Sequence, residues 1–242
     1  MDRNYAAHYR ELFEKHWWWR ARSELIIENL RRICPPQGWK HILDIGCGDG
    51  LLFPQLRHFG EVEGIEADAE LVEAGNPDRA HIYTGAFDSS FRPGRKYSLI
   101  LMLDVLEHMP DPATALQRVH DLLEPDGMFL ITVPAFMLLW TNHDALNHHF
   151  TRYTAPELRK LAEKAGLCIS EQRYFYHWTF PVKIGVRLYE RAFDVKPRPA
   201  QVPAKWINSY LFFLSRVEQK LFGKVPLPLG SSLMAIGQIQ CQ

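Results

Sequence analysis

Ile42-Leu43-Asp44-Ile45-Gly46-Cys47-Gly48-Asp49-Gly50 runs from apolar residues straight into three glycines at alternate positions. An apolar run ending in glycines predicts a buried strand over 41–45 that enters a tight loop. Glycine tolerates the backbone conformations such a loop needs and lets a ligand approach without a side chain in the way. A helix is predicted from about Leu51, and its first N–H groups have no partner inside the helix. A second strand over 62–66 ends on Glu66, sixteen positions beyond Gly50. In dinucleotide-binding folds an acid at the end of this strand binds ribose hydroxyls, because a carboxylate accepts two hydrogen bonds from a diol. The spacing GxGxG differs from the GxGxxG of nicotinamide and flavin sites.

Strand and helix alternate onward. A helix is expected to start over 69–74, a third strand lies at 81–84, and a strongly apolar fourth lies at 97–103. Residues 112–123 are helical by period, with Ala115, Leu116, Val119, Leu122 and Leu123 inward. Pro125-Asp126-Gly127 then turns the chain into a fifth strand at 128–133. Continuous apolar strands between helices predict a parallel sheet covered on both faces. Before the glycine loop, 8–33 reads as one helix that Pro35-Pro36 stops. After the fifth strand, 134–152 is a long connection without period. Thr154, Glu157 and Gly166 frame a helix over 154–165. A sixth strand is expected at 167–175, two apolar helices with basic residues around 181–195 and 205–222, and a last strand over 231–240.

The 242 residues suffice for a full core, and 47% hydrophobic with 23% charged residues is ordinary globular composition. Met1 to Arg10 is polar, so no signal peptide is expected. The longest nearly uncharged apolar run, 128–140, contains Pro134 and is shorter than the roughly 18 residues of a membrane span. Cys34, Cys47, Cys168 and Cys241 form no CxxC pair, so neither a zinc knuckle nor a disulfide framework is indicated, and a reducing, cytoplasmic setting is the default. The net charge is zero, yet between Arg173 and Lys224 ten Lys/Arg face three Asp/Glu. This asymmetry fits either a solvated basic face or contact with something anionic.

These segments resemble the class I S-adenosylmethionine (SAM)-dependent methyltransferases, in particular the group that includes the ubiquinone and menaquinone biosynthesis methyltransferases. The resemblance covers about residues 12 to 170. Besides the glycine loop it is carried by His16-Trp17-Trp18-Trp19-Arg20-Ala21-Arg22, by Asp104-Val105-Leu106-Glu107-His108-Met109-Pro110-Asp111-Pro112, and by Leu123-Glu124-Pro125-Asp126-Gly127. It implies an α/β, Rossmann-like fold with a seven-stranded, mostly parallel sheet, helices on both faces and an antiparallel last strand. It implies one domain: a helical cap over 1–36, a core over 37–175, a helical insertion over 176–228 and the last strand over 229–242. The implied cofactor is SAM. Asp44, Gly46, Cys47, Gly48 and Gly50 would hold its methionyl part, Glu66 with Ala67 its ribose, and Phe87 with Asp88 its adenine, with Asp104 at the end of the fourth strand. Ala86 stands where relatives often carry an acid.

Methyl transfer is an in-line displacement from an activated sulfonium, so the enzyme mainly orients the nucleophile. A general base helps when that nucleophile is a hydroxyl. His108, at the end of the fourth strand, is a candidate base; alternatively Glu107 and His108 cap the following helix. Asp104-x-x-Glu107-His108 also resembles a metal-ligand pattern, ExxEH, of ubiquinone O-methyltransferases and small-RNA 2′-O-methyltransferases, with His143 or His148 as fourth ligand. Asp104 departs from that pattern's first Glu, and no metal is assigned. His143 and His148, in His143-Asp144-x-x-x-His148-His149-x-x-Arg152-Tyr153, are further catalytic candidates, and Arg152 can bind a carboxylate or phosphate. The competing reading is a self-bonded loop in which Asp144 pairs with Arg152.

Trp17-Trp18-Trp19 either walls the active site or packs its helix on the domain. In the C-terminal part, Lys183, Arg187 and Arg191 share one helix face. Trp206, Tyr210, Phe213, Val217 and Leu221 share another, with Ile207, Leu211 and Leu214 beside it. Such helices suit an anionic membrane surface over 181–222, a greasy substrate pocket, a dimer face or plain core. The expected substrate is a small acceptor, lipid-like or anionic, methylated on oxygen rather than carbon. No nucleic-acid partner is expected, since no basic stripe marks the catalytic face. The rival readings are an RNA methyltransferase, a SAM-binding protein without catalysis and a nicotinamide-dependent oxidoreductase, the last disfavoured by the GxGxG spacing.

Overall fold

The computed structural model describes residues 3–193, 195–223, 225 and 227–239. Seven strands form one sheet: β1 (His41–Ile45), β2 (Glu61–Glu66), β3 (Ile82–Thr84), β4 (Tyr97–Leu103), β5 (Leu123–Pro134), β6 (Cys168–Phe175) and β7 (Ser232–Gln238). Their order is β3-β2-β1-β4-β5-β7-β6. β1 to β5 run parallel, and β7 lies antiparallel between β5 and β6. Gln240, included in the expected last strand, lies outside the described residues, as does Asp194 in the first inserted segment. The chain passes from β1 outward to β2 and β3, then crosses to β4 on the other side of β1. Open α/β sheets bind ligands at such a switch point, beyond the carboxyl ends of the strands.

The pleat sorts the core into two layers. Leu43 and Ile45 of β1, with Ile100 and Met102 of β4, face α4 (Pro112–Leu122) and α6 (Ala155–Lys164). Ile42, Leu99, Leu101 and Leu130 face the opposite way, onto α2 (Trp17–Ile33) and the short α3 (Phe53–Leu56). Both faces are thus covered, and the strands read as apolar runs for that reason. The capping box expected for α6 forms: Thr154 N–H donates to Glu157 Oε2 at 2.8 Å.

Several boundaries differ from the sequence expectation. The single helix over 8–33 is two helices, α1 (Arg3–Lys15) and α2, broken at His16. His16 adopts an extended backbone, and its Nδ1 accepts the Trp18 N–H, which caps α2. The helix expected at 69–74 is a single 3-10 turn, Ala69–Leu71, because Asp68 caps Glu70 N–H and the backbone is extended again at Val72. The helix after the glycine loop, α3, has only four residues. The cysteine spacing indicated no disulfide, yet Cys168 is disulfide-bonded, while Cys34 and Cys47 are free thiols. Between β6 and β7 the chain inserts α7 (Thr179–Ala192) and α8 (Lys205–Phe222). Among the described residues no helix is long and apolar enough to cross a membrane.

Candidate active site at the switch point

Strand parity places the polar groups. Asp44 follows Ile42 on the α2 face of β1, Glu66 follows Val62 and Gly64 on that face of β2, and Thr132 follows Leu130 on that face of β5. All three lie at the carboxyl edge of the sheet and all are buried. Gly46 has φ +71°, and a Cβ there would stand 2.4 Å from Val105 Cγ2, so the residue after Asp104 fits only against a glycine. Gly48 (φ +56°) donates its N–H to Glu66 Oε2 at 2.9 Å, and Asp68 N–H donates to Oε1 at 2.9 Å. These bonds fix the Glu66 carboxylate beside the loop and leave each oxygen a further lone pair. Burial, with Glu66 adding to it and Arg22 opposing, pushes the Asp44 carboxyl up to about 7.

Arg22 of α2 enters this edge from above. Its Nε lies 2.5 Å from Asp104 Oδ2, and its guanidinium carbon sits 5.3 Å from the centroid of the Trp18 ring. Thr132 Oγ1 donates to Asp104 Oδ1 at 3.3 Å. Asp104 has φ +58° and Phe136, just after β5, has φ +58°. Two strained residues at the ends of adjacent strands mark the edge where side chains are being aimed rather than merely packed. Tyr9 of α1 is surrounded by Arg22, Asp104, Asp44 and Glu66; burial and the carboxylates hold its phenol up at about 12, so it stays neutral. Arg10 pairs with Asp49 and reaches Glu73 at 3.4 Å. Helix α1 therefore closes over the glycine loop.

Next to Asp104, the Glu107, His108 and His149 side chains offer ligand atoms within 4.8 Å of one another. The His108 and His149 rings meet edge to face at 4.6 Å. Glu107 is buried, and among the described residues its Oε2 has no hydrogen-bond partner. Burial, then the nearby Asp104, pushes its carboxyl well above the usual range. His149 Nδ1 donates to Asp144 Oδ1 at 2.9 Å, which leaves Nε2 as the free nitrogen.

Behind these rings the polar loop is bonded to itself. Arg152 Nε and Nη2 donate to the two Asp144 oxygens at 2.8 and 3.0 Å, and Nη1 donates to Ala135 O at 3.1 Å. Both residues are buried, so Arg152 faces no open cleft. The hydrogen bonds from His149, Arg152 and Thr141 hold the Asp144 carboxyl far below the ordinary range against its burial.

The remaining expected residues are placed as follows. His143 is exposed on α5 (Asn142–Leu146), its ring 6.4 Å from that of His149. His148 is exposed at φ +56°. Cys47 is buried under Gly64, whose Cβ would stand 2.4 Å from its Sγ. Ala67 is exposed just past Glu66, and Phe87 packs on Phe91 at 6.0 Å. Asp88 is exposed and accepts Ser90 N–H at 2.8 Å. Trp17 and Trp18 pack on Tyr176, and Trp17 also on Trp178, so the tryptophans dock α2. Lys183 of α7 leaves the basic row: it sits near Asp104, Asp144 and Arg152, and burial lowers it to about 8. Arg187 instead donates to Met137 O and Leu138 O. Tyr9 is a site residue that sequence reasoning did not single out; Arg22, His149 and Lys183 stood in the quoted Trp-rich stretch, histidine cluster and basic row without being read as site residues.

The donor set is compatible with SAM: two buried carboxylates, Asp44 and Glu66, stand beside glycine-rich backbone, a combination that suits an ammonium, a diol and a closely approaching ligand. The comparisons agree. A model described as a methyltransferase domain matches residues 18–172. A probable S-adenosylmethionine-dependent methyltransferase of Mycolicibacterium smegmatis is 25% identical over 221 residues, covering 89% of this chain and 84% of its own length. A ubiquinone biosynthesis O-methyltransferase of Actinobacillus pleuropneumoniae is 26% identical over 165 residues, covering 57% of this chain and 69% of its own. Among solved structures, the methyltransferase in complex with the Haloferax volcanii Trm112 methyltransferase activator superposes with TM-score 0.60 at 18% identity, covering 99% of this chain and 96% of that one. The chain belongs to the class I SAM-dependent methyltransferases.

Proposed function

We propose that this enzyme moves the methyl group of SAM to an oxygen of a small acceptor, with His108 as general base. SAM supplies the activated methyl on a sulfonium. Asp44 holds the ammonium end, Glu66 accepts from the ribose hydroxyls, Gly46, Cys47, Gly48 and Gly50 shape the loop, and Ala67, Phe87 and Asp88 border the adenine side. The observation that carries the reading is the His108–His149 pair beside Asp104, across the switch point from the glycine loop. Burial, with His149 beside it, lowers the His108 imidazole to about 4, so it is neutral at neutral pH and its lone pair can accept a hydroxyl proton as the methyl moves. His143 and His148 lie exposed on the same loop as His149 and are further candidates. Oxygen as the attacked atom accords with the names of the ubiquinone biosynthesis relatives. Lys183 and Arg22, both near Asp104, supply cationic groups that suit an anionic acceptor.

His108→Ala is expected to lower kcat by about 10²–10⁴-fold while leaving SAM affinity within about twofold. A steady-state assay of S-adenosylhomocysteine release checks it; full activity in the variant contradicts the base. A second reading has its own observation, the partnerless buried Glu107 Oε2. Glu107, His108 and His149 would then hold a divalent cation that polarises the acceptor oxygen. Treatment with EDTA separates the two: the base predicts unchanged turnover, whereas loss of activity restored by Mg²⁺ or Zn²⁺ assigns the cluster to a cation.

Asp44 makes cofactor affinity depend on pH. The α-ammonium of the ligand favours the ionised carboxylate, so affinity rises as pH climbs through about 7. From pH ~6 to pH ~8 calorimetry should find S-adenosylhomocysteine binding up to about tenfold tighter, and a flat profile contradicts the assignment. For the free protein the sign is opposite: a carboxyl raised above its unfolded value stabilises the fold at low pH, and this is lost as pH rises toward 7.

A further inference from the structure

Helix α8 is built inside out. A surface helix normally buries its apolar stripe and exposes its polar one. Here Asn208, Ser215, Arg216, Glu218 and Gln219 are buried, and each is bonded. Asn208 accepts Trp17 N–H at 2.8 Å and donates to Lys15 O at 2.7 Å, clamping the α1–α2 break. Ser215 accepts Trp178 Nε1 at 3.2 Å, Glu218 accepts Trp178 N–H at 2.8 Å, and Arg216 Nε pairs with Glu24 at 2.8 Å. The helix is thus seated by polar contacts, and its apolar stripe is left outside. Trp206 is 74% exposed, Tyr210 60%, Phe213 65% and Leu221 65%, and Val217 completes the row.

The charges around that stripe select its occupant. Lys205 and Lys220 flank it and are exposed. The only acid within Lys205–Phe222 is Glu218, and it is turned inward. Arg173, Lys183, Arg187 and Arg216 are turned into the fold, so the cations left at the stripe are Lys205 and Lys220, with no exposed acid on the helix to offset them. A second copy on this face would set like charges against each other, whereas an anionic bilayer neutralises them. Tryptophan and tyrosine suit the headgroup boundary, with an apolar body and a polar tip.

We infer that the outward face of α8 docks the enzyme on an anionic lipid bilayer, lying in its interface rather than crossing it. This does not depend on the acceptor proposed above, and its test uses no turnover. The full chain is floated with vesicles of phosphatidylcholine alone and of phosphatidylcholine mixed with phosphatidylglycerol. The bound fraction is expected to be about tenfold higher with phosphatidylglycerol and to fall as salt screens the charges. Trp206→Ser combined with Phe213→Ser should lower binding to the anionic vesicles by at least about tenfold, because both rings supply the buried apolar area. Lys205→Glu with Lys220→Glu should lower it as well and touches no apolar group. Thermal melting and S-adenosylhomocysteine binding stay unchanged in both variants, since these side chains point away from the fold. Equal weak binding to both vesicle types overturns the inference. So does sedimentation showing a dimer that the Trp206/Phe213 variant dissolves, which would give the face to a second copy.

Discussion

Replacing Arg152 by alanine is expected to destabilise the fold by about 3–5 kcal/mol, because it strands a fully buried carboxylate without its counter-charge. Asp144 is 0% exposed and receives two of its hydrogen bonds from Arg152. The pair ties α5 to the end of β5 through Ala135 O, and it carries His149 on its other oxygen. In a chain of this size the loss corresponds to a drop in Tm of roughly 10 °C or more. The companion test pairs Arg152→Met with Asp144→Leu, which removes both charges and should recover much of the lost stability. It should not recover activity, since His149 loses the carboxylate that orients it. A single variant that melts like the parent would mean that the pair is not buried as described. Asp144 also adds an acid limit. Its carboxyl is depressed in the fold, so its contribution is present above the unfolded carboxylate pKa and is lost as pH falls toward the folded one.

Glu66→Ala is the second large effect, and it acts on the cofactor rather than the fold. The carboxylate is held by Gly48 N–H and Asp68 N–H, and in the assignment proposed above its remaining lone pairs accept from the diol. Charge-assisted bonds of this kind contribute about 1.5–3 kcal/mol each, so losing two should weaken SAM binding by about 100-fold or more. Glu66→Gln keeps the shape and one acceptor oxygen and should fall between the two. Isothermal calorimetry checks the ranking. Equal affinity in all three proteins would remove Glu66 from the ribose and leave it only the role of bracing the glycine loop.

What could be read from the residues alone was set by short-range physics. The apolar run into Gly46-Cys47-Gly48-Asp49-Gly50, the acid ending β2 and the end of β4 are local signals, and strand parity then carries Asp44 and Glu66 to one face. Tyr9 and Arg22 were not legible as site residues because they arrive from helices far away in sequence, and a helical period says which residues share a face but not what that face covers. His149 was passed over for His143 and His148 for a backbone reason. His148 adopts the left-handed conformation, which is uncommon for any non-glycine residue and is not announced by the local sequence, and His149 is left bonded to Asp144. The α8 stripe was visible as a period. Its direction was not, because apolar residues are expected inward and only the hydrogen bonds to α2 and Trp178 put them outward.

Titrating the purified, folded chain with S-adenosylhomocysteine in a calorimeter at pH ~8, where Asp44 is ionised, addresses the central claim most directly. Saturable one-to-one binding that Glu66→Ala weakens and NAD does not compete is the result expected of a sulfonium-nucleotide site at the β1–β4 switch point. No heat, or binding indifferent to Glu66, would contradict that site and the chemistry built upon it.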